Sequence, residues 1–101
     1  MRIIMFLRPT NRYGTKGEYT AFRKLLLAKG FVLMQPEVFM AVAPTRRAAE
    51  QLLTHLQAQL PTTGTVCALV LTERQYASMH YLVGCPPYQE QSVGSLASVN
   101  L

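Results

Sequence analysis

The first apolar run of the chain has the length and the boundaries of a buried strand. Residues 2–7 (RIIMFL) are apolar apart from the arginine, and Pro9 follows them closely. Similar short runs, each bounded by glycine or proline, occur at residues 31–35, 38–43 and 65–71. Only Pro36 and Glu37 separate the second run from the third, so these two strands are predicted to form a tight antiparallel hairpin.

Two segments between these runs have the periodicity of amphipathic helices. A helix is predicted from Glu18 to residue 29, because apolar side chains recur three and four positions apart and Gly30 follows as a stop. A second is predicted after Thr45, a good N-cap residue. Its apolar stripe consists of Ala49, Leu52, Leu53, Leu56 and Leu60. Thr72 is placed to cap a short helical turn, and residues 80–83 (HYLV) predict a short extra strand.

The order of these elements predicts an α+β, ferredoxin-like βαββαβ domain with a short extra C-terminal strand. Its first strand is apolar on both faces, with Ile3 and Met5 on one side and Ile4 and Phe6 on the other. Both helices of this fold lie on one face of the sheet, so the second face needs another cover. A second copy is the simplest cover, and we predict a homodimer. The domain is assigned to residues 1–84.

The remaining residues, 85–101, are rich in serine, glycine, glutamine and proline. The larger aliphatic side chains of this segment are those of Val93, Leu96, Val99 and Leu101. Two alternatives stay open for it: a flexible tail, or a strand that becomes ordered on a partner subunit.

The distribution of charge points to a polyanionic partner. The 101 residues contain ten Lys and Arg but only five acids, and none of the acids is aspartate. Residues 1–29 carry seven cations and one glutamate, whereas residues 30–101 carry three arginines and four glutamates. This asymmetry favours binding to nucleic acid, because cations gain by neutralising phosphates and releasing counterions. The missing aspartate excludes aspartate dyads and aspartate-led metal clusters.

The sequence gives little support for a membrane or secreted protein, or for a metal or redox site. No apolar run approaches the ~20 residues that span a bilayer, and the first residues lack the core of a signal peptide. Cys67 and Cys85 fit no metal or redox spacing, and Cys67 is predicted to be a buried thiol because it lies in an apolar run. His55 and His80 have no partner at catalytic or metal-ligand spacing. We expect a cytoplasmic protein with no membrane partner.

An ordered set of short motifs resembles the Cas2 family, the small subunit of the CRISPR spacer-integration complex, in the form that accompanies type II systems. The set comprises Met1-Arg2-Ile3-Ile4-Met5-Phe6; Phe22-Arg23-Lys24-Leu25-Leu26 before Gly30-Phe31; Gln35 with Val38-Phe39; Leu60-Pro61 with Gly64; and Thr72-Glu73-Arg74-Gln75-Tyr76 before Leu82-Val83-Gly84. The resemblance covers residues 1–84, and nothing in the remainder matches it.

This resemblance implies a role in spacer acquisition, a part of antiviral defence. The family's ferredoxin-like homodimer bridges two dimers of the CRISPR integrase subunit, and a double-stranded DNA lies across its basic surface. The integrase performs the strand transfer. Some members are reported to be magnesium-dependent endonucleases that use an aspartate just after the first strand.

The chain departs from the family at that aspartate. Where the family usually reads Phe-Asp-Leu-Pro-Thr, this chain reads Leu7-Arg8-Pro9-Thr10. A cation does not ligate magnesium, and two arginines near a dimer axis attract phosphate instead. We therefore predict no catalytic residue, no metal ligand and no cofactor. The predicted DNA-binding residues are Arg8, Arg12, Lys16, Arg23 and Lys24.

Three alternatives remain at this point. The basic residues form only a solvated cationic face, or the chain is a metal-dependent endonuclease of the same fold, or it is a small-molecule regulatory domain. The last needs a ligand pocket, which no glycine-rich or polar cluster suggests. Glu37, at the predicted hairpin tip, is interpreted as a surface residue.

Overall fold

The computed structural model describes residues 1–10 and 16–86, and for Lys16 it describes the backbone alone. Within these residues the chain forms strand β1 (Arg2–Arg8), helix α1 (Lys16–Ala28), strands β2 (Val32–Gln35) and β3 (Val38–Val42), helix α2 (Arg46–Leu56) with a 3₁₀ turn (Gln57–Gln59), strand β4 (Thr65–Leu71) and helix α3 (Glu73–Ala77). Residues 87–101 lie outside the described part, and with them most of the segment for which a tail or a docking strand is predicted.

The sheet has the strand order β2-β3-β1-β4, and every neighbouring pair is antiparallel. Ile4 in the central strand β1 lies opposite Met40 of β3 and Leu69 of β4. This order, with a helix between β1 and β2 and another between β3 and β4, confirms the predicted α+β, ferredoxin-like fold. The homodimer stays a prediction.

The main core lies between the sheet and the helices α1 and α2. The largest fully buried side chains are those of Ile3, Tyr19, Phe22, Leu26, Phe31 and Leu56, so the apolar stripes of both helices face the sheet. Leu60, the last residue of the second predicted stripe, is the exception: it lies beyond the helix and is 44% exposed. The Thr45 hydroxyl accepts the N–H of Ala48 at 3.0 Å, which confirms the predicted N-cap. Helix α1 ends at Ala28, close to the predicted stop.

The opposite face of the sheet, which we call the open face, carries a smaller cluster. Ile4, Met40 and Tyr76 are buried together there, and Tyr76 belongs to α3. Thr72 and Gln75 form a reciprocal capping box that starts this helix. Helix α3 thus covers part of the open face, which the sequence predicts to be covered by a second copy of the chain. Other apolar groups of this face remain exposed, Phe6 at 39% and Leu69 at 49%.

The predicted extra strand at residues 80–83 is wrong. These residues form no strand, and Leu82 and Val83 are 92% and 93% exposed. An apolar sequence makes a strand only where a sheet edge supplies hydrogen bonds and a surface buries the side chains. Within the described part of the chain, this segment finds neither.

The predicted burial of Cys67 is also wrong. Strand β4 lies at one edge of the sheet, and Cys67 pairs with Phe6, whose side chain lies on the open face. Its thiol is free and exposed. None of the helices in the described ranges has the length and apolarity needed to cross a membrane.

Candidate nucleic-acid interface

Arg8 lies at the end of β1, on the rim of a cleft of about 420 Å³. The other lining residues are Thr10, then Thr63 and Gly64 in the loop before β4, and Thr65, the first residue of β4. We call this the threonine cleft. Its described lining contains one cation and three hydroxyl groups and no carboxylate, so its chemistry suits an anion.

Helix α1 holds the two sides of the threonine cleft together through Tyr19. The phenol of this residue is 1% exposed and donates to the carbonyl oxygen of Thr63 at 2.7 Å. The phenol oxygen also lies 3.4 Å from the carbonyl oxygen of Arg8. Across the cleft, the hydroxyls of Thr10 and Thr63 form a hydrogen bond of 3.1 Å. The end of β1 and the loop before β4 are therefore fixed to the same helix.

Glu18 strengthens this junction from the first turn of α1. Its carboxylate accepts hydrogen bonds from the main-chain N–H and the hydroxyl of Thr62, each 2.9 Å from Oε2. This carboxylate is thus engaged in holding the loop before β4. Glu18 is not among the residues that line the cleft.

Gly64 is the one lining residue whose identity the backbone dictates. Its φ is +79°, a left-handed conformation that favours glycine. A Cβ at this position would also meet the Tyr19 hydroxyl and the carbonyl oxygen of Arg8. The sequence marks Gly64 only as a breaker before a strand, because the close approach to Tyr19 depends on a residue 45 positions away.

Alkaline pH is expected to weaken the fold through Tyr19. Burial raises the pKa of the phenol above its ordinary 10.0; the Glu18 and Glu37 carboxylates add to this, and Arg23 opposes it. The folded state thus keeps a proton that the unfolded chain releases near pH 10.0. The stabilisation that the protonated Tyr19 phenol gives is therefore complete below pH 10.0. It is lost as the pH rises through the pKa of this phenol in the folded state.

Urea denaturation of the wild type and Tyr19→Phe, from about pH 8 to about pH 11, measures this effect. The free energy of unfolding should fall more steeply above pH 10.0 in the wild type. If the free energy of unfolding changes with pH in the same way in both proteins, the raised pKa of Tyr19 is contradicted.

The structure places the other predicted DNA-binding residues away from the cleft or outside the described part. Arg12 lies outside it, and so does the side chain of Lys16, whose backbone opens α1. Lys24 lies on α1 and is not buried. Arg23 and Lys24 do not line the cleft.

The charge of Arg23 is compensated inside the domain. Its Nε lies 2.9 Å from Oε1 of Glu37, and its Nη2 lies 2.9 Å from Oε2. Both side chains are 32% exposed, so this pair joins α1 to the hairpin of β2 and β3 at a partly covered site. Glu37 is therefore a partner of α1 and more than a surface residue, while Arg23 has less charge to offer to a phosphate than an unpaired arginine.

The structure also gives a role to Arg2, a cation that the sequence shows only as part of the first strand. Arg2 is 7% exposed on the open face, and its Nε donates to both carboxylate oxygens of Glu73 at 2.9 Å. Its guanidinium carbon lies 4.4 Å from the centre of the Tyr76 ring. Arg2 thereby holds α3 against the sheet, and its burial removes it from the candidate interface.

The residues around Arg8 do not fit the magnesium site of the nuclease members. Magnesium prefers oxygen ligands that include carboxylates. Here the described lining offers hydroxyls beside a fixed positive charge. Among residues 1–10 and 16–86, no three histidines, cysteines or acids lie close enough together to hold a metal ion.

Comparison with known proteins finds relatives that share one name. No protein-family model matches the chain. A protein of Ligilactobacillus salivarius (strain UCC118) named CRISPR-associated endoribonuclease Cas2 is 37% identical over 82 residues, which are 81% of each chain. A protein of Acidovorax ebreus (strain TPSY) with the same name is 36% identical over 96 residues, 94% of each chain. A third, from Lacticaseibacillus rhamnosus, is 35% identical over 82 residues.

The match to the Acidovorax protein is long enough that it has to extend beyond residue 84. The likeness to the family is therefore not confined to residues 1–84, in contrast to what the motifs alone indicate. Identities of 35–37% over at least 81% of the chain, together with the ferredoxin-like sheet order, place this chain in the CRISPR-associated Cas2 family.

Proposed function

We propose that this chain is a non-catalytic, double-stranded DNA-binding scaffold of CRISPR spacer acquisition. It acts as a homodimer that bridges dimers of the integrase subunit, as the family resemblance implies. The observation that carries the proposal is Arg8, an exposed cation in a cleft without a described carboxylate, at the position where nuclease members have their metal-binding aspartate.

The electrostatics of the chain support a DNA backbone as the ligand. The net charge is +5, and no carboxylate of the described residues forms an ion pair with Arg8. A phosphodiester gains both a counter-charge and a bidentate hydrogen-bond donor from such an arginine. Contacts of this kind position a duplex without reading its sequence.

The open face supports the homodimer. Phe6, Val42 and Leu69 are 39%, 62% and 49% exposed there, so α3 leaves apolar surface of this face uncovered. Strand β4 adds a sheet edge of seven residues beside them. An apolar face next to an edge strand is typical of a surface that another chain covers. A dimer carries two copies of Arg8 and so two contacts for one duplex.

A second candidate function is a magnesium-dependent endonuclease. The names of the relatives favour it, because each is called an endoribonuclease. The donor set around Arg8 weighs against it, since hydroxyls beside a guanidinium hold a divalent cation poorly.

Duplex binding at several salt concentrations tests the proposal. For the wild type, the logarithm of the binding constant should fall linearly with the logarithm of the salt concentration. Arg8→Gln should bind about tenfold more weakly, because a charged hydrogen-bond donor is removed. Its salt slope should be shallower by about 0.9 for each phosphate that Arg8 neutralises in the wild type. Arg74→Gln, a charge change at the exposed end of α3, serves as the matched control and should leave both quantities unchanged.

Three results would overturn parts of this proposal. Equal affinities and slopes for the wild type and Arg8→Gln would remove Arg8 from the interface. Sedimentation as a single copy would contradict the homodimer. Magnesium-dependent cleavage of RNA or DNA that stops with a chelator would contradict the non-catalytic role and favour the endonuclease.

A further inference from the structure

The threonine cleft has more polar side chains than a cationic rim for a duplex requires. A general electrostatic surface needs only Arg8 and the other cations, whereas this cleft adds the hydroxyls of Thr10, Thr63 and Thr65. These three residues come from two segments more than 50 positions apart, and the fold brings them to one place. Such convergence around a single arginine defines a site with its own geometry.

The chemistry of this site favours a phosphate group over a cation. Phosphate oxygens are strong acceptors, and guanidinium and hydroxyl groups both donate to them. The described lining has no carboxylate to repel an anion or attract a metal. A volume of about 420 Å³ is also larger than a phosphate requires, since one water takes ~30 Å³, and it leaves room for the attached sugar.

The site is held in shape before any ligand arrives. Tyr19 fixes the carbonyl of Thr63, and Glu18 fixes Thr62 next to it. Gly64 adopts a conformation that lets Tyr19 approach closely. Ligand binding therefore requires little ordering of the loop, which favours affinity.

We infer that the threonine cleft is a phosphate-binding subsite for nucleic acid, in which the Arg8 guanidinium and the Thr65 hydroxyl donate to one phosphate group and the hydrogen-bonded hydroxyls of Thr10 and Thr63 line the same cleft. This inference rests on the proposed DNA-binding function and names the contact that anchors the strand. The phosphate comes either from inside a strand or from its 5′ end, and the chemistry of the site is the same for both.

The variant Thr65→Val tests the hydroxyl contribution. Thr65 starts β4, and valine retains its branched shape and its preference for a strand but has no hydroxyl. Duplex binding should weaken about three- to tenfold, the usual effect of removing one hydrogen bond per copy. The salt slope should not change, because no charge is removed. Thr54→Val, the same change on an exposed position of α2, is the matched control and should bind like the wild type.

A second measurement examines the cleft without DNA. Adding inorganic phosphate to ¹⁵N-labelled protein, against sodium chloride at equal ionic strength, should shift the amide signals of Gly64 and Thr65 more than those of α2. Arg8→Gln should abolish these shifts. Duplexes with and without 5′ phosphates distinguish the two sources: if the end is bound, the effect of Thr65→Val disappears on the dephosphorylated duplex, and if an internal phosphate is bound, it persists.

The outcomes separate the subsite from the proposed function. Duplex binding with the wild-type salt slope, together with unchanged binding by Thr65→Val and no phosphate-induced shift at Gly64 or Thr65, would overturn the subsite and leave the DNA-binding role intact. Phosphate-induced shifts at these amides in a protein that binds no duplex would support the subsite and overturn the DNA-binding role.

Discussion

The substitution Gly64→Ala is expected to lower the free energy of unfolding by about 3 kcal/mol. Part of this decrease comes from the left-handed backbone at φ +79°, which costs a residue with a Cβ about 1–2 kcal/mol. The rest comes from crowding, because the added carbon meets the Tyr19 hydroxyl and the Arg8 carbonyl oxygen. Neither group moves freely, since Tyr19 is buried and Arg8 belongs to a central strand.

The chain offers a matched control for the backbone contribution. Gly30 has a φ of +94°, and nothing lies within 4 Å of the position that its Cβ would occupy. Gly30→Ala therefore measures backbone strain without crowding and should cost about 1–2 kcal/mol. Chemical denaturation of both variants gives the comparison. If Gly64→Ala costs no more than Gly30→Ala, the packing of Tyr19 against Gly64 does not stabilise the fold as described.

The substitution Glu73→Gln is expected to lower the free energy of unfolding by about 2 kcal/mol. It retains the shape of the side chain but leaves the Arg2 guanidinium, 7% exposed, without its counter-charge. Removing one partner of a fully buried pair typically costs ~3–5 kcal/mol. Because the Glu73 side chain is 55% exposed, water replaces part of the interaction and the expected cost is smaller.

A double variant gives this prediction its sharpest test. Arg2→Met keeps an unbranched apolar side chain beside Met40 and Tyr76, so the combination of Arg2→Met with Glu73→Gln no longer buries the guanidinium that Glu73 neutralises in the wild type. The double variant should be more stable than Glu73→Gln alone. Glu50→Gln, an exposed position on α2, is the control and should change stability by less than about 0.5 kcal/mol. If Glu73→Gln matches Glu50→Gln, Arg2 and Glu73 are not energetically coupled.

Local signals predict the four strands of the sheet and the helices packed against it. The spacing of Tyr19, Phe22 and Leu26 places one face of a helix on the sheet whatever else surrounds it. Thr45 and Thr72 indicate helix starts because a cap bonds to the backbone only three residues away. Capping of this kind depends on neighbours in sequence, so it is visible without a structure.

Position within the sheet is not predictable in the same way. Cys67 is exposed because it lies on the open face of an edge strand, beside the exposed Phe6, and both the face and the strand order are set by the whole topology. The pairing of Arg23 with Glu37, 14 positions apart, depends on how α1 crosses the hairpin. Residues 80–83 have the composition of a strand, but a strand also requires an edge, which composition does not reveal.

The candidate site also combines a residue that a local signal reveals with residues that only the fold brings together. Arg8 is found from a single departure from a family motif, which is a local signal. The threonines of the cleft carry no signal in the sequence, because threonine before a strand is common and gains meaning only when Thr10 lies 3.1 Å from Thr63. Gly64 resembles an ordinary breaker until its close approach to Tyr19 is known.

The side chains of strand β4 alternate between the two faces of the sheet, so one set faces the main core and the other faces outwards. Its alternate positions at Val66 and Val70 pack against the main core, so they are constrained by the volume of the domain interior. The positions between them, Cys67 and Leu69, point outwards at the rim of the sheet and are constrained by whatever lies beside the molecule. Substitutions at Cys67 and Leu69 therefore alter the surface that a neighbouring molecule meets without altering the packing of the main core.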